Sequence, residues 1–385
     1  MSVCSPAEDA ISVCLNAFSR LLTRFNLTVN QIGRIEVGSE SNPDRAKAIK
    51  SHLMALLGRF PISGSDNLQA CYGGTAALLN ASAWLESSQW EIGKYAVVIA
   101  GDVAVYDSGA ARATGGAGSV AILLARGCNA PIKLEKKFGH FASHVYDFYK
   151  PDPMTEYPKV DGPLSVSAYI QSALNAYADW NKKVSLNELD HSKKISDCFD
   201  QLIFHSPYSK IVYKAFCQLQ LFDPTLPLKI KNFTEISEEQ QAEIDSLFKG
   251  KVAGNLFLSK NLGNSYCASV FFNLLCTLIR SRNASERIGV FSYGSGSMAT
   301  FFSFKFDNRK DVEWLKSLGA DVLNRLENRI KVSPVEYESL MNSRKEMHGI
   351  VNWTAKESDI KDLLPGTFYL SQIDSEHRRI YTQKL

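Results

Sequence analysis

A cysteine lies in a loop whose composition suits a nucleophile. Cys71 follows Asn67-Leu68-Gln69-Ala70, and residues 73–77 are all small, which predicts a loop that enters a tightly packed helix. Free N–H groups and the dipole at a helix start stabilise a thiolate and lower the thiol pKa. Most single cysteines are inert core residues instead, so the position of Cys71 alone leaves both interpretations open.

A histidine at the end of an apolar strand is the second candidate. His205 follows Phe204 and precedes a turn that contains Pro207, and strand ends are where α/β sheets place their sites. The alternative is a hydrogen-bonded loop histidine. Lys210 and Lys214 would share one face of a helix that starts after Pro207. Two such lysines suit phosphate groups, although a solvated helix face is the commoner outcome.

Three further short segments carry polar groups at predicted element ends, and the segment around Asn264 is predicted to be a strand-to-helix junction. Asn264 is either a turn former or a hydrogen-bond donor to a carbonyl. Ser295 stands between two glycines, which indicates a tight hairpin turn, and Tyr293 excludes the glycine of a nucleophile elbow. Glu36 and Glu40 end the first predicted strand. Each is either an active-site base or a solvated loop carboxylate.

Short apolar runs alternate with amphipathic segments, a pattern that predicts an α/β fold. Helices are predicted at residues 9–25, 43–58, 76–85, 168–180 and 267–280. Strands are predicted at residues 32–37, 95–100, 119–124, 131–135, 198–204, 252–258, 288–293 and 300–306. The third and fourth strands are expected to form a hairpin, as are the last two, and residues 229–251 to form a surface excursion. Both halves of the chain show the same order of elements.

Composition narrows the class of protein. A net charge of +3 over 385 residues, without a basic stripe, argues against a nucleic-acid partner. Apolar runs such as residues 96–100 are too short for a bilayer. The eight cysteines have no CxxC spacing, which argues against a zinc site and favours reduced thiols. The first ten residues lack a basic cluster, so we expect no leader peptide and a cytoplasmic location.

Several motifs, taken in order, resemble those of hydroxymethylglutaryl-CoA synthases of the eukaryotic type over nearly the whole chain. The motifs are Glu36-Val37-Gly38-Ser39-Glu40, Ala70-Cys71-Tyr72-Gly73-Gly74, Gly101-Asp102-Val103-Ala104-Val105-Tyr106, Thr114-Gly115-Gly116, Tyr146-Asp147-Phe148-Tyr149-Lys150-Pro151-Asp152, Phe204-His205-Ser206-Pro207-Tyr208, Tyr293-Gly294-Ser295-Gly296 and His377-Arg378-Arg379. Members of that family normally begin with a further strand and helix upstream of the position of Met1 here.

The resemblance implies a thiolase-like fold of two related halves, residues 1–165 with the nucleophile and residues 166–385 with the histidine. Each half is expected to hold a mixed five-stranded sheet, with buried helices between the sheets in αβαβα layers. The first N-terminal strand is expected to be missing, and its place is expected in the interior of the first sheet. The family usually forms homodimers.

The resemblance also implies the roles of individual residues. Cys71 matches the acylated nucleophile, Glu40 rather than Glu36 the general acid/base, and His205 the catalytic histidine. Positions around the acyl group or the pantetheine arm are matched by Tyr106, Thr114, Ser165, Asn264 and Ser295. Lys210 and Lys214 match lysines that contact CoA.

The implied reaction condenses acetyl-CoA with acetoacetyl-CoA and water to give 3-hydroxy-3-methylglutaryl-CoA, a step of isoprenoid and sterol synthesis. It needs no metal and no redox cofactor. Backbone N–H groups near Cys71 and in the turn at residues 294–296 are expected to stabilise the oxyanion. One alternative is a catalytically impaired relative that binds CoA. A second is a ketoacyl synthase III-like enzyme, against which Glu40 argues because decarboxylative condensation needs no such base.

Overall fold

The computed structural model describes residues 2–128, 130–185, 194–231, 236–281, 285–307, 309–310 and 312–385. The helices are α1 (Ala10–Arg24), α2 (Ile49–Leu53), α3 (Gly73–Glu86), α4 (Gly162–Ser185), α5 (Ile195–Cys198), α6 (Ser209–Gln220), α7 (Glu238–Lys251), α8 (Phe257–Leu262), α9 (Ser269–Arg280), α10 (Glu313–Glu327), α11 (Pro334–Glu346) and α12 (Glu357–Ile360). The strands are β1 (Ile32–Gly38), β2 (Asp66–Asn67), β3 (Tyr95–Val103), β4 (Ala117–Leu124), β5 (Ile132–Leu134), β6 (Gly139–Ala142), β7 (Phe148–Tyr149), β8 (Lys159–Val160), β9 (Gln201–Phe204), β10 (Ser285–Gly294), β11 (Met298–Asp307), β12 (Trp353–Thr354), β13 (Phe368–Ile373) and β14 (Arg379–Gln383).

The first sheet has the strand order β2-β1-β3-β4. β1 runs parallel to β2 and β3, and β4 runs antiparallel to β3. β3 is buried on both faces, as its continuous apolar sequence predicts. The described sheet therefore has four strands, as expected for a five-stranded sheet without its first strand. Because β1 and β3 pair directly, the expectation of a vacant place in the interior of this sheet is wrong.

The second sheet has the order β5-β11-β10-β9, and β6 also pairs with β11. β9 is parallel to β10, and the long hairpin of β10 and β11 confirms the predicted terminal hairpin. The predicted hairpin of β4 and β5 is wrong, because β5 pairs with β11 of the second sheet. β5 and β6 belong to the second sheet although they precede the predicted boundary between residues 165 and 166. The division into two domains stays a prediction.

Helices fill the space between the sheets and cover them outside. Gly74 of α3 packs so closely that a Cβ would lie 2.8 Å from the Cβ of Ala100 on β3 and 2.9 Å from the Phe271 ring of α9. The apolar cluster between the sheets joins both helices to β10 and β11. α1 packs on the outer face of the first sheet, and α4 packs on the second. The layering is that of the thiolase-like fold.

Two element predictions fail for identifiable reasons. The apolar run at residues 252–258 forms a 3-10 turn (Ala253–Leu256) followed by α8 rather than a strand, because a short apolar run has no distinctive period. The helix expected from Pro43 begins only at Ile49, since the Asp44 carboxylate accepts the N–H groups of Ala46 and Lys47 and holds a turn there. The predicted surface excursion contains α7, which is exposed apart from its inner face.

Candidate active site

The loop that carries Cys71 is a tight turn between β2 and α3. Ala70 has a φ of +45°, in the left-handed region, and the N–H groups of Tyr72 and Gly73 donate to the carbonyls of Gln69 and Ala70. A Cβ on Gly73 would lie 2.5 Å from the Asn67 carbonyl oxygen. The small residues after the cysteine are therefore required by close backbone contact, and they leave the Cys71 side chain buried at 7% exposure.

The structure brings Cys71 and Glu40 together. Glu40 lies in the loop after β1, and the Cys71 thiol donates to its Oε1 at 3.2 Å. Glu36, the other carboxylate considered, instead pairs with Arg34 and accepts from Asn67. The geometry places Glu40, rather than Glu36, beside the thiol, and its role as the general acid/base stays a prediction.

Asp102 fixes the loop that carries Glu40. It is not among the site residues predicted from the sequence. Its Oδ1 accepts from the Ser39 hydroxyl at 2.8 Å, from the Glu40 N–H at 2.8 Å and from the Ser41 hydroxyl at 2.6 Å. Its Oδ2 accepts from the Cys267 N–H at 2.9 Å. An aspartate just after the apolar run at residues 95–100 is the sequence signal that could have revealed it, and the structure shows Asp102 to be fully buried.

Lys150 is the second residue that the sequence reasoning missed. Its Nζ lies 3.2 Å from Glu40 Oε2 and donates to the Glu40 carbonyl oxygen at 3.1 Å. The ammonium also lies 4.8 Å from the centre of the Tyr266 ring. Glu40 therefore has a thiol donor on one oxygen and a cation on the other.

Burial sets the protonation of these groups. It raises the pKa of Glu40, an effect that Lys150 opposes and Asp102 reinforces. Burial, followed by the charges of Glu40 and the second thiol of Cys267, raises the pKa of Cys71 well above its usual value. The prediction of a lowered thiol pKa is wrong for this arrangement, because the nearest charge is negative and the neighbouring N–H groups have other acceptors.

His205 directly follows β9 and is 1% exposed. Its backbone is fixed by a bond from its N–H to the Phe291 carbonyl and by one from the Tyr169 hydroxyl to its own carbonyl. Both ring nitrogens lack a hydrogen-bond partner within the described ranges. Burial lowers the pKa of His205 to about 3. The imidazole is neutral near pH 7 and is free to bond an incoming group.

Asn264 connects the second half of the chain to residues of the first. Its amide donates to the Tyr106 hydroxyl at 3.1 Å, and its N–H donates to the Thr114 carbonyl at 2.8 Å. Tyr106 packs in one apolar cluster with Cys71 and Tyr266. Three of the expected acyl-pocket residues are thus joined. Asn264 precedes a 3-10 turn after α8, not the strand-to-helix junction that was predicted.

The Ser295 turn packs directly on the loop that carries Cys71. A Cβ on Gly294 would lie 2.5 Å from the Gln69 carbonyl oxygen, so the two backbones touch. The turn is held by the buried Asp147, which accepts from the Tyr293 hydroxyl at 2.7 Å and from the Gly296 N–H at 2.9 Å. The Ser165 hydroxyl donates to the Asp147 carbonyl at 3.0 Å. Ser165 therefore supports the turn through Asp147.

The two expected CoA lysines lie on α6, the helix that follows His205. Lys210 is exposed and Lys214 is half-buried. A cavity of about 1570 Å³ opens elsewhere, and its wall includes Glu40, Ala70 and Lys150 but neither of these lysines. The candidate site thus borders a large cavity on the Glu40 side.

The described residues contain neither a membrane-spanning helix nor a metal-binding cluster. No helix among them is long and apolar enough to cross a membrane. Within the same ranges, no group of three or more histidine, cysteine, aspartate or glutamate side chains is arranged to hold a metal ion.

The layered fold, with a buried thiol beside a carboxylate, is that of a thiolase-like protein. The family model for the N-terminal part of hydroxymethylglutaryl-coenzyme A synthase matches residues 1–131, and the model for its C-terminal part matches residues 132–247 and 241–384. The chain belongs to the hydroxymethylglutaryl-CoA synthase family.

Relatives and solved structures agree over the full length. The mitochondrial hydroxymethylglutaryl-CoA synthase of Mus musculus is 38% identical over 100% of this chain and 81% of its own. The cytoplasmic enzyme of Homo sapiens is 37% identical over 100% of this chain and 80% of its own. A structure of MvaS in complex with 3-hydroxy-3-methylglutaryl coenzyme A matches with a TM-score of 0.84 at 30% identity, over 100% of this chain and 90% of that chain. The family thus includes cytoplasmic and mitochondrial members.

Proposed function

We propose that this chain condenses acetyl-CoA with acetoacetyl-CoA and water to give 3-hydroxy-3-methylglutaryl-CoA and CoA. Family membership over the whole chain supports the reaction. The observation that carries its assignment to specific residues is the contact of the Cys71 thiol with Glu40 at 3.2 Å. A nucleophile that contacts a carboxylate is suited to carbon–carbon bond formation on an acyl-cysteine.

In the first step, Cys71 sulfur attacks the thioester carbonyl of acetyl-CoA. The carbon–sulfur bond to CoA breaks, CoA leaves with the thiol proton, and acetyl-Cys71 remains. The N–H groups of Tyr72, Gly73 and Gly296 already have acceptors inside the protein. We therefore assign oxyanion stabilisation to the N–H groups of Cys71 and Ser295, two of the groups expected near Cys71 and in the turn at residues 294–296.

In the second step, the Glu40 carboxylate removes a proton from the acetyl methyl group. The resulting carbanion attacks the ketone carbon of acetoacetyl-CoA, and Glu40 returns the proton to the new alkoxide. Neutral His205 donates a hydrogen bond to the acetoacetyl group, with Asn264 beside the pocket. Water then hydrolyses the thioester to Cys71, which regenerates the thiol and releases the product.

The finer assignments are proposals of the same kind. The reaction needs no redox cofactor, since no step changes an oxidation state, and it needs no metal, since Glu40 serves as the base at the acetyl methyl group. Lys210 and Lys214 contact the phosphates of CoA. The chain acts as a homodimer in the cytoplasm and supplies the mevalonate route to isoprenoids and sterols. Membership of a family with both cytoplasmic and mitochondrial representatives is compatible with this location and does not require it.

Intact-mass measurement tests the proposal directly. We expect wild type incubated with acetyl-CoA to gain one acetyl group that Cys71→Ala does not gain. Acetoacetyl-CoA should discharge this adduct with formation of the six-carbon product. A folded wild-type chain that gains no acetyl group would favour the impaired CoA-binding alternative. Condensation from malonyl thioester instead would favour the ketoacyl synthase alternative.

A further inference from the structure

Lys150 contacts Glu40 at two places. Its Nζ lies 3.2 Å from Glu40 Oε2 and 3.1 Å from the Glu40 carbonyl oxygen. One ammonium group thereby fixes the side chain and the backbone of the same residue. The opposite oxygen, Oε1, accepts from the Cys71 thiol. The carboxylate is thus held between a cation and the nucleophile.

The Lys150 side chain is itself held in place. Its ammonium lies 4.8 Å from the centre of the Tyr266 ring and 5.8 Å from that of the Phe148 ring. A cation over aromatic faces gains attraction that increases with desolvation. The side chain is 22% exposed, whereas that of Glu40 is 4% exposed. Lys150 therefore has the restricted geometry that a surface lysine lacks.

The charges around Glu40 make a cation necessary there. Burial raises the pKa of Glu40, the Lys150 charge opposes that rise, and Asp102 adds to it. Burial would lower the pKa of Lys150, but the negative charges of Glu40 and Asp102 outweigh it, so that this pKa is raised. Lys150 consequently stays protonated throughout the pH range in which Glu40 titrates.

We propose that Lys150 is a positioning residue that keeps Glu40 ionised and directed at Cys71. The inference rests on the proposed function and adds a residue to it. When Glu40 takes the methyl proton, Lys150 loses the charge of its partner. That loss favours release of the proton from Glu40 to the alkoxide and restores the ion pair. No proton leaves Lys150 in this cycle.

The titrating and charged groups that interact with Glu40 or Lys150 come from several elements. They are Cys71, Asp102, Tyr106, Glu156, Tyr266 and Cys267. Lys150 is the cation among these contacts, and changing it alters the charge balance without altering the thiols or the phenols. The pH dependence of activity therefore isolates its effect.

The test measures kcat/KM against pH for wild type, Lys150→Gln and Lys150→Arg. Gln offers an N–H donor without the charge, on a side chain that is one atom shorter than that of Lys. We expect the acid limb of the Lys150→Gln profile to move up by about 1–2 pH units. At pH values below the wild-type limb, kcat/KM should fall by roughly 10–100-fold, and it should recover as the pH rises. Lys150→Arg should stay near the wild-type limb, as should the control Lys159→Gln at an exposed position.

Three outcomes would overturn the assignment. One is an unmoved acid limb in Lys150→Gln, another is a uniform loss of kcat at every pH, and the third is an equal shift in Lys159→Gln. Should Lys150→Gln fail to fold, Lys150→Met takes the same test, because it fills a similar volume without a buried amide. An inactive wild type would refute the proposed function. An active wild type with an unmoved limb in Lys150→Gln would refute the role of Lys150 alone.

Discussion

Replacing Asp102 by asparagine should weaken the Glu40 loop and shift the activity profile in the opposite direction to Lys150→Gln. Oδ1 of Asp102 accepts three hydrogen bonds, from Ser39, Glu40 and Ser41, and Oδ2 accepts the fourth from Cys267. Asparagine has nearly the same shape but only one accepting oxygen. If the asparagine oxygen accepts the three hydrogen bonds from the Glu40 loop, the asparagine NH₂ group faces the Cys267 N–H, and both groups are donors.

The expected cost follows from this mismatch. A buried donor without a partner costs about 1–3 kcal/mol, and hydrogen bonds to a charged acceptor are roughly twice as strong as those to a neutral one. We therefore expect Asp102→Asn to lower the free energy of unfolding by about 2–4 kcal/mol. Looser positioning of Glu40 should lower kcat by about tenfold or more.

The electrostatic effect has a definite sign. Asp102 contributes to the raised pKa of Glu40, after burial as the main cause. Removing its negative charge makes Glu40 easier to ionise, so the acid limb of kcat/KM should move to lower pH, by up to about one unit. Lys150→Gln removes a positive charge from the same carboxylate and moves the limb upward.

Two measurements check the prediction for Asp102. Urea unfolding gives the change in stability, and kcat/KM against pH gives the shift of the acid limb. Asp362→Asn is the control, because Asp362 is exposed. An acid limb that moves upward or does not move in Asp102→Asn, with wild-type stability, would refute the reasoning.

Two further predictions concern the Ser295 turn and His205. Gly294→Ala should lower the free energy of unfolding by about 1–3 kcal/mol and slow acetylation of Cys71, because its Cβ would meet the Gln69 carbonyl at 2.5 Å. Urea unfolding and intact mass measure the two effects, and Gly162→Ala is the control because a Cβ there lies in open space. The pKa of His205 is lowered to about 3, so the unfolded chain binds its proton below about pH 6.5 while the folded chain does not. Stability should be full above pH 6.5 and fall by about 1.4 kcal/mol per unit below it, a slope that His205→Gln should lose in urea unfolding.

The sequence predicts the elements whose burial is uniform and the residues that lie in recognisable motifs. β3 and the hairpin of β10 and β11 were predicted because their apolar runs are continuous and end at glycine-containing turns. The turn near Asp44 and α8 were not, because side-chain capping and the surrounding contacts decide them. The pairing of β5 with β11 could not be predicted either, since the sequence does not show to which of the two sheets β5 belongs.

The partners of Glu40 show why the remaining contacts of the site could not be predicted from the sequence. Lys150 acts on the carbonyl of a residue 110 positions away, and Asp102 on an N–H 62 positions away. Both residues stand inside motifs that carry the family resemblance, but their roles depend on burial and on distances that only the fold creates.

The raised thiol pKa of Cys71 has a consequence for how the site works. Free N–H groups at a helix start would favour a thiolate. In this turn, however, the N–H groups of Tyr72 and Gly73 already donate to the carbonyls of Gln69 and Ala70. The neighbouring charge is that of Glu40, which favours a neutral thiol that donates to the carboxylate. The pair therefore holds one proton at rest, on sulfur, and Lys150 helps to keep the other partner ionised. In the proposed reaction, acylation would remove that proton with the departing CoA, and Glu40 would then be free to act as the base in the next step.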